Sequence, residues 1–322
     1  MKAITYREYG GAEVLHLEEG AKPTPKDYQV LVQVRATALN PYDMHCLHGT
    51  PYVMRLIFGL SKPKLTGIGV DFSGVVESVG KNVNGFRVGD AVFGGGQGAL
   101  AENLVIAEQG LAKKPDSVSF EQAGAVNMAA KTALQALRDA GKLQSGQKVL
   151  INGASGGVGT FAVQIAKHLG GEIIGVSSGR NTELVYSLGA NHTVDYAQQD
   201  YTQGLRQYDL IIDNVANHSL SANRRVLKPN GRYVMVGAPK GKWIKPMDSV
   251  IAAMMYSKFV PQEMGMMMAR ASKDDLVSLA KLMEQGKVTP VIDTTYKLSE
   301  AADAMGHLET GRARGKIVIQ VR

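Results

Sequence analysis

The sequence predicts an α/β protein with two parts: a doubly wound parallel sheet in the middle of the chain, and a β-rich, barrel-like domain built mainly from the N-terminal third. Three observations predict it. Residues 148–170, KVLINGASGGVGTFAVQIAKHLG, run from an apolar stretch through a glycine-rich turn into Val158, Ala162, Ile165, Ala166 and Leu169 at helical spacing, which reads as strand, tight turn and helix. Beyond them, apolar runs alternate with amphipathic or polar stretches as far as GRYVMVG (231–237), the pattern of a parallel sheet covered on both faces. Before them, short apolar runs are punctuated by glycine and proline, as in antiparallel β structure.

In chain order, the strand signals are QVLVQVRATAL (29–39), DFSGVVESVG (71–80), DAVFGGG (90–96) and ENLVIAE (102–108). Between the first two, Pro51 to Lys64 carries prolines with Met54, Leu56, Ile57 and Phe58, and is expected to be a long loop or short helix. A helix is expected from about 119 to 140, capped by Ser119 with Gln122 three residues on, with a break near Val126. The alternation after the glycine turn comprises EIIGVSS, NTELVYSLG, HTVDY, a polar helix near 199–206, YDLIIDNVA, HSLSANRRVLKPNG and GRYVMVG. Its fully apolar strands (Leu210 to Ile212; Tyr233 to Val236) fit burial on both faces. A methionine-rich segment follows (Met254, Met255, Met264, Met266 to Met268), read first as core filling. Then come a helix over 273–285 with Ser272 and Asp275 as capping box, a helix from Ser299 to near Gly311, and a final strand, GKIVIQV. That closing strand suggests that the N-terminal domain is completed by the C-terminal residues. The expected division is 1–125 and 259–322 for the discontinuous β domain and 126–258 for the nucleotide domain.

Composition narrows the class. With 44% apolar and 20% charged residues, the 322-residue chain is that of an ordinary globular protein of about two domains. No apolar run reaches the roughly 18 residues of a membrane span, and MKAITYREYGG lacks an apolar signal core, so a cytosolic protein is expected. A single cysteine, Cys46, rules out an intramolecular disulfide and a multi-thiolate zinc site. The charge of +7 suits an anionic ligand, but Lys and Arg are scattered rather than blocked, which argues against nucleic acid.

The glycine turn carries the first functional reading. Small residues let a pyrophosphate approach the backbone of Ala154, Ser155, Gly156, Gly157 and Val158, with the first helical N–H groups pointing at it. The same glycines would also serve an ordinary tight turn; the strand before and the helix after favour a nucleotide. A dinucleotide ribose in such a fold is met about 20 residues on, by a carboxylate for NAD or by a nearby Arg for the 2′-phosphate of NADP. Here the second strand ends Gly175-Val176-Ser177-Ser178-Gly179-Arg180-Asn181 without a carboxylate, so Ser177, Ser178 and Arg180 point to NADPH, with Tyr196 as a weaker second contact. Ser178 and Asn181 could cap the next helix as well.

Across its whole length the chain resembles the medium-chain dehydrogenase/reductase superfamily, and within it the zinc-free quinone oxidoreductase-like branch. The residues that carry the resemblance are ALNPYDMH (38–45), GVDFSGVVESVG (69–80), RVGDAVFG (87–94), AAKTALQAL (129–137), INGASGGVG (151–159), SLGANHTVDY (187–196) and GRARGKIVI (311–319). The resemblance implies a Rossmann domain, a GroES-like catalytic domain made from both chain ends, a cleft joining them, and a homodimer. At the three catalytic zinc-ligand positions of zinc-using relatives stand Asn40, Val70 and Met128, none of them a good zinc ligand, so no metal is expected. The cluster His45-Cys46-Leu47-His48 is crowded into four residues with no second cluster to complete it. Without a Lewis acid, alcohol oxidation loses its main electrostatic aid, and reductions with delocalised developing charge become more plausible.

The implied chemistry is hydride transfer from NADPH to a quinone or to the β-carbon of an α,β-unsaturated carbonyl. The candidate catalytic residues are Asn40, at the nicotinamide or a substrate carbonyl; His45, where zinc-using relatives have a relay histidine and where a structural histidine is an equal reading; and Tyr52, similar in placement to the tyrosine of enoyl thioester reductases although its surroundings differ. Further cofactor contacts implied by position are Thr132, the backbone near Asn214 and Val215, Val236-Gly237-Ala238, and Lys316 or Arg314. Asp71 and Glu77 are read as parts of the β-domain architecture. A second class stays open: an NADPH-binding structural, sensing or nucleic-acid-binding protein with weak reductase activity.

Overall fold

The computed structural model describes residues 1–237 and 261–322. Two units emerge from the chain's own contacts, Met1–Lys131 with Arg270–Arg322, and Thr132–Ala269. In the first, β1 (Lys2–Thr5) and β2 (His16–Glu19) form a small antiparallel pair. The long β3 (Gln29–Ala38) lies between β4 (Asp71–Val79) and β6 (Asn103–Ala107), and β5 (Ala91–Gly95) and β7 (Leu111–Lys113) extend the sheet beyond β4. Val30, Val32 and Val34 recur with period two and so fall on one face, where they pack in a core with Phe72, Val76, Val92 and Leu104. Out of β3 the chain enters α1 (Pro41–His48), a 3-10 turn Tyr52–Met54, and α2 (Arg55–Phe58). The segment after Pro51 is thus loop and short helix, as expected. It is fastened by Arg55, which donates to Gly49 O at 2.9 Å and stacks over the rings of Tyr9 and Tyr52 at 4.4 and 4.8 Å.

The expected break near Val126 is present: α3 (Phe120–Gly124) ends and α4 (Asn127–Gln135) begins on either side of it, with Ser119 and Gln122 exchanging both capping-box hydrogen bonds at 3.2 Å.

The second unit is a six-stranded, wholly parallel sheet. Its strands are β8 (Lys148–Asn152), β9 (Glu172–Ser177), β10 (His192–Asp195), β11 (Tyr208–Asp213), β12 (Leu227–Met235) and β13 (Glu263–Met266), in the spatial order β10-β9-β8-β11-β12-β13. The order reverses at β8, which is the switch point of a doubly wound sheet. Val149, Leu150, Ile151, Leu210, Ile211 and Ile212 are all buried, as strands covered on both faces require. Helices α5 (Gly157–His168), α6 (Thr182–Ser187) and α7 (Leu220–Val226) connect them. Two expectations are corrected. Residues 199–206 form turns rather than a helix: Asp200 accepts from Thr202 N and Oγ1 and from Gln203, so local side-chain bonds take over what a helical ladder would use. The expected domain boundary at 258/259 falls outside the described residues, and the second unit extends to Ala269, because β13 pairs with β12. Met264 is buried on that strand and Met268 is largely exposed, so the methionine segment is only partly core; Met254 and Met255 lie outside the described residues.

The chain then returns to the first unit as α8 (Lys273–Glu284), β14 (Ile292–Lys297), α9 (Ala301–Glu309) and β15 (Lys316–Gln320). Ser272 caps α8 by accepting from Asp275 N at 3.1 Å. β15 runs antiparallel to β3 with Val318 opposite Ala38, so the β domain is discontinuous, as expected, and the same register brings Lys316 across from Asn40.

One contact fixes the start of α5. A Cβ on Gly159 would lie 2.0 Å from Gly153 O and 2.7 Å from the Ala154 carbonyl carbon, so the helix meets its own turn backbone to backbone. Gly159→Ala is expected to lower stability by about 1–3 kcal/mol, the usual cost of overpacking, read as an earlier midpoint in urea.

Candidate functional site

In the second unit the expected cofactor residues gather at the C-terminal ends of the parallel strands. After β8 the chain turns at Gly153 (φ +78°), whose N–H and that of Ala154 both donate to Val176 O at 3.1 and 2.9 Å, tying the turn to β9. The N–H groups of Gly157, Val158 and Gly159 are then at the open N-terminus of a twelve-residue helix, where no intrahelical acceptor exists for them. A Cβ on Gly156 would meet only Gly153 O, at 3.5 Å, among the described residues, so the space before the helix is open. Ser155 Oγ accepts from Asn181 Nδ2 at 2.9 Å, which links the glycine turn to the end of β9. Asn181 and Ser178 make no side-chain cap to the helices they precede, so the capping alternative for them is not realised.

Two buried side-chain oxygens here, Asn181 Oδ1 and Asn214 Oδ1, have no hydrogen-bond partner among the described residues. Buried acceptors are rarely left so. A dinucleotide supplies donors of the right kind in its ribose hydroxyls and carboxamide, and its pyrophosphate suits the open helix end. The residues present therefore fit such a group.

Asn214 and Val215 follow β11, and Val236 and Gly237 follow β12; a Cβ on Gly237 would lie 2.0 Å from Asn214 O, so the two strand ends touch. Ala238 lies outside the described residues. Sequence reasoning missed the residue that shapes this corner, Asp213. It is fully buried, and its Oδ1 accepts from Asn152 Nδ2 (2.9 Å), Val215 N (3.0 Å) and Ala216 N (2.7 Å), while Oδ2 accepts from Tyr233 OH (2.8 Å). Burial pushes the Tyr233 phenol far up, and Asp213's charge adds to this, so the phenol stays a donor. Ala216 is held at φ +55°, a conformation that an alanine adopts only under such constraint. Asp213→Ala should release residues 214–216 and raise the Kd of a nicotinamide dinucleotide by about tenfold or more, measured by fluorescence titration; Asp213→Asn, which keeps an acceptor at Oδ1, should lose less.

Ser177 is buried with its hydroxyl donating to Ser178 O at 3.2 Å, whereas Ser178 is partly exposed and Arg180 and Tyr196 are exposed. The structure adds a carboxylate not weighed in sequence: a Cβ on Gly179 would come within 2.6 Å of Asp195 Oδ2, from the end of β10. Thr132 opens the second unit on α4 and is partly exposed.

The first unit contains a buried polar cluster around Asn40, the N-cap of α1. Lys316 Nζ donates to Leu39 O at 3.0 Å, to Asn40 Oδ1, and to Asp71 Oδ2 at 3.4 Å. Asp71 Oδ1 accepts from Asn127 Nδ2 and Met128 N, both at 2.9 Å. Lys316 is therefore corrected from an expected cofactor contact: it is 3% exposed, and its three protons are taken up inside its own unit. Asp71 belongs to the architecture, as read, and so does Glu77, paired with Lys22 and Asn103. The zinc-ligand positions do not fit zinc. Asn40 turns its oxygen to an ammonium, Met128 enters through its backbone, Val70 offers no donor side chain, and among the described residues no group of three or more His, Cys, Asp or Glu could hold a metal. Arg314 is exposed.

Of the other two candidates, His45 shares α1 with Asn40, and Tyr52 lies beyond that helix. His45 is on the last turn of α1, half-buried, and burial holds its imidazole below the usual value, so it is neutral at pH 7. Tyr52 sits on the 3-10 turn beneath Arg55.

Asp43, at N3 of α1, accepts from Asn40 N at 2.8 Å and is 1% exposed. Burial pushes its carboxyl up to about 7; the Asn40 N–H bond and the charge of Lys316 act against this, and Asp71's charge acts with it. An unfolded aspartate titrates near ~4. From about pH 4 to 7 the unfolded chain therefore loses this proton while the folded protein keeps it, so Asp43 makes stability fall as pH rises through that window. Asp43→Asn retains the acceptor without the charge. Its stability relative to wild type should grow from pH 4 to 7, by up to a few kcal/mol, and level off above; an advantage that does not vary between pH 4 and 8 would refute the assignment.

Against known proteins, residues 26–116 match the alcohol dehydrogenase GroES-like domain and residues 188–319 the zinc-binding dehydrogenase domain. The quinone oxidoreductase of Homo sapiens is 31% identical over 99% of this chain and 97% of its own. An Arabidopsis thaliana chloroplastic NADPH-dependent alkenal/one oxidoreductase is 32% identical over 99% of this chain and 79% of its own. The solved quinone oxidoreductase of Coxiella burnetii superposes with a TM-score of 0.87 at 30% identity, covering 100% of this chain and 99% of its own. Fold and sequence together define a two-part oxidoreductase that works with a nicotinamide cofactor. More narrowly, the chain belongs to the quinone oxidoreductase-like branch of the medium-chain dehydrogenase/reductase superfamily.

Proposed function

We propose that the protein is an NADPH-dependent, metal-free reductase, acting on a quinone or on the β-carbon of an α,β-unsaturated carbonyl, and working as a homodimer. The observation that carries the cofactor choice is the end of β9: Ser178, partly exposed, and Arg180, exposed, stand where an NAD-binding strand would carry a carboxylate. Arg180 can pair with a 2′-phosphate dianion and Ser178 can donate to it. Asp195 opposes them with a negative charge next to Gly179. The acceptor class is supported by the names of the relatives and by zinc-ligand positions occupied by Asn40, Val70 and Met128.

When bound, NADPH supplies the hydride. The glycine turn and the open N-terminus of α5 hold its pyrophosphate, Asn181 and Asn214 accept from its hydroxyls or carboxamide, and Asp213 keeps residues 214–216 in place. Asn40 donates to or accepts from the nicotinamide or the substrate carbonyl. His45, neutral at pH 7, is a hydrogen-bond donor and Tyr52 a second one, at the oxygen that gains charge.

Arg180→Ala should weaken NADPH by about tenfold or more and NADH little, and Asp195→Asn should shift the preference further toward NADPH; equal losses of both cofactors in Arg180→Ala would refute the 2′-phosphate assignment. Gly156→Asp should abolish NADPH oxidation without unfolding the protein. A panel of quinones, enones and enals tests the activity. Turnover of any of them at roughly 1 per second or faster supports the reading, and tight NADPH binding with no turnover of the whole panel overturns it.

A further inference from the structure

We propose that the segment from Val53 to Leu65 is a docking surface for an anionic lipid membrane, on which the protein rests without spanning it. Val53 is exposed there, and Leu56, Ile57, Leu60 and Leu65 are each between 60% and 71% exposed. Elsewhere among the described residues, large exposed aliphatic side chains stand singly in sequence, as Leu17, Val88, Leu205 and Val277 do. Single ones are ordinary, whereas a run of them marks a surface that something covers. The segment is firmly built. Gly59 N–H donates to Arg55 O at 2.8 Å, Lys64 N–H to Phe58 O at 2.7 Å, and Tyr9 OH to Gly59 O at 2.6 Å. Gly59 is held at φ +125°, and a Cβ on it would lie 2.1 Å from Lys62 O, so the turn is closed as tightly as a glycine allows. Gly59 and Pro63 are buried, and Leu60, Ser61 and Lys62 are exposed between these two anchors.

Charge selects the occupant. Lys62 and Lys64 are exposed among these apolar groups, and between Asp43 and Asp71 the sequence holds no carboxylate to offset them. Arg55 is already engaged, its guanidinium donating to Gly49 O and His48 O and stacking on Tyr9 and Tyr52, so the two lysines are the cations on offer. An anionic bilayer presents charged headgroups directly over an acyl layer. It therefore matches leucines and lysines mixed on one short stretch: the apolar side chains enter the headgroup boundary while the ammonium groups reach phosphates on flexible stems. The Gly59 and Lys64 N–H groups are bonded within the segment, so they lose no partner on leaving water. A second copy of this chain is a poor match, because each copy carries a formal charge of +7 and lysine is depleted from protein interfaces. The same net charge favours an anionic surface. No helix among the described residues is long and apolar enough to cross a membrane, so the attachment is peripheral. It is independent of the cofactor and acceptor proposed above.

The test is sedimentation of the whole protein with vesicles of phosphatidylcholine alone and of equimolar phosphatidylcholine and phosphatidylglycerol. Binding is expected to the anionic vesicles, and about tenfold weaker or less to the neutral ones. Lys62→Gln with Lys64→Gln should weaken binding to the anionic vesicles by about 30-fold at low salt, and by less as salt screens the wild type. Leu56→Ser with Leu60→Ser should weaken it by about tenfold or more, a loss that persists at high salt. All four side chains are exposed, so the urea midpoint of each pair should equal that of wild type. Cys46, the single cysteine, is 3% exposed, so an environment-sensitive dye on Leu60→Cys reports that position, and its emission should move to the blue on anionic vesicles. Failure of the wild type to sediment with the anionic vesicles overturns the proposal. So does unchanged binding in both paired variants, which would place the contact elsewhere on the basic surface, or a dye emission that does not move. A wild-type dimer that Leu56→Ser with Leu60→Ser dissociates overturns it too, because a second copy then covers the patch.

Discussion

An ammonium and a carboxylate removed from water together set the form of the first unit. Lys316 and Asp71 are both almost wholly buried, and either one alone in that place would cost several kcal/mol. They come from opposite ends of the chain, on β15 and β4, and the groups that satisfy them come from Leu39, Asn40, Asn127 and Met128. The requirement that every one of these bonds be made couples four segments spread between Leu39 and Lys316. It is also why the closing strand cannot slide along β3: a shift of one residue would carry the ammonium away from its oxygens and leave two buried charges unpaired.

The second unit depends on backbone approach rather than on charge. Gly159 against Gly153 and Gly237 against Asn214 are places where a single methyl group has no room, and Gly153 and Ala154 both donate to Val176 O of β9. These contacts draw the ends of β8, β9, β11 and β12 to one edge, and what remains open there, among the described residues, is the space in front of Gly156 and two buried amide oxygens without donors. Crowding on one side of the turn and openness on the other are the two conditions of a phosphate cradle. Asp213 adds a carboxylate that holds the adjoining loop through Val215 N and Ala216 N and ties it to Asn152 and Tyr233.

Most of this architecture was legible in the sequence because it is periodic. The valines of β3 at every second position, the apolar β8 and β11, and the amphipathic α5 each announce themselves within a dozen residues. The glycine turn was legible for the same reason, its strand and helix flanking it directly. Residues 199–206 misled because a polar stretch of helical length carries no sign of Asp200 capturing its neighbours' donors. The polar partnerships were not legible at all. Nothing near Lys316 in GRARGKIVI tells that its charge ends beside Asn40, and Asp213 reads as the end of a strand until Val215, Ala216 and Tyr233 are seen converging on it.

The same distinction bears on how this chain departs from its zinc-using relatives. A catalytic metal gives a substrate oxygen positive charge directly, through an open coordination position. Here a fixed positive charge still stands next to the corresponding residue, Asn40, but it is an ammonium whose three protons go to Leu39 O, Asn40 Oδ1 and Asp71 Oδ2. Such an arrangement transmits far less polarisation than a metal ion does, and its bonds serve first to hold β15, β4 and the start of α1 together. The replacement of the ligands and the burial of the lysine thus both remove the direct positive charge that a metal would place on a substrate oxygen.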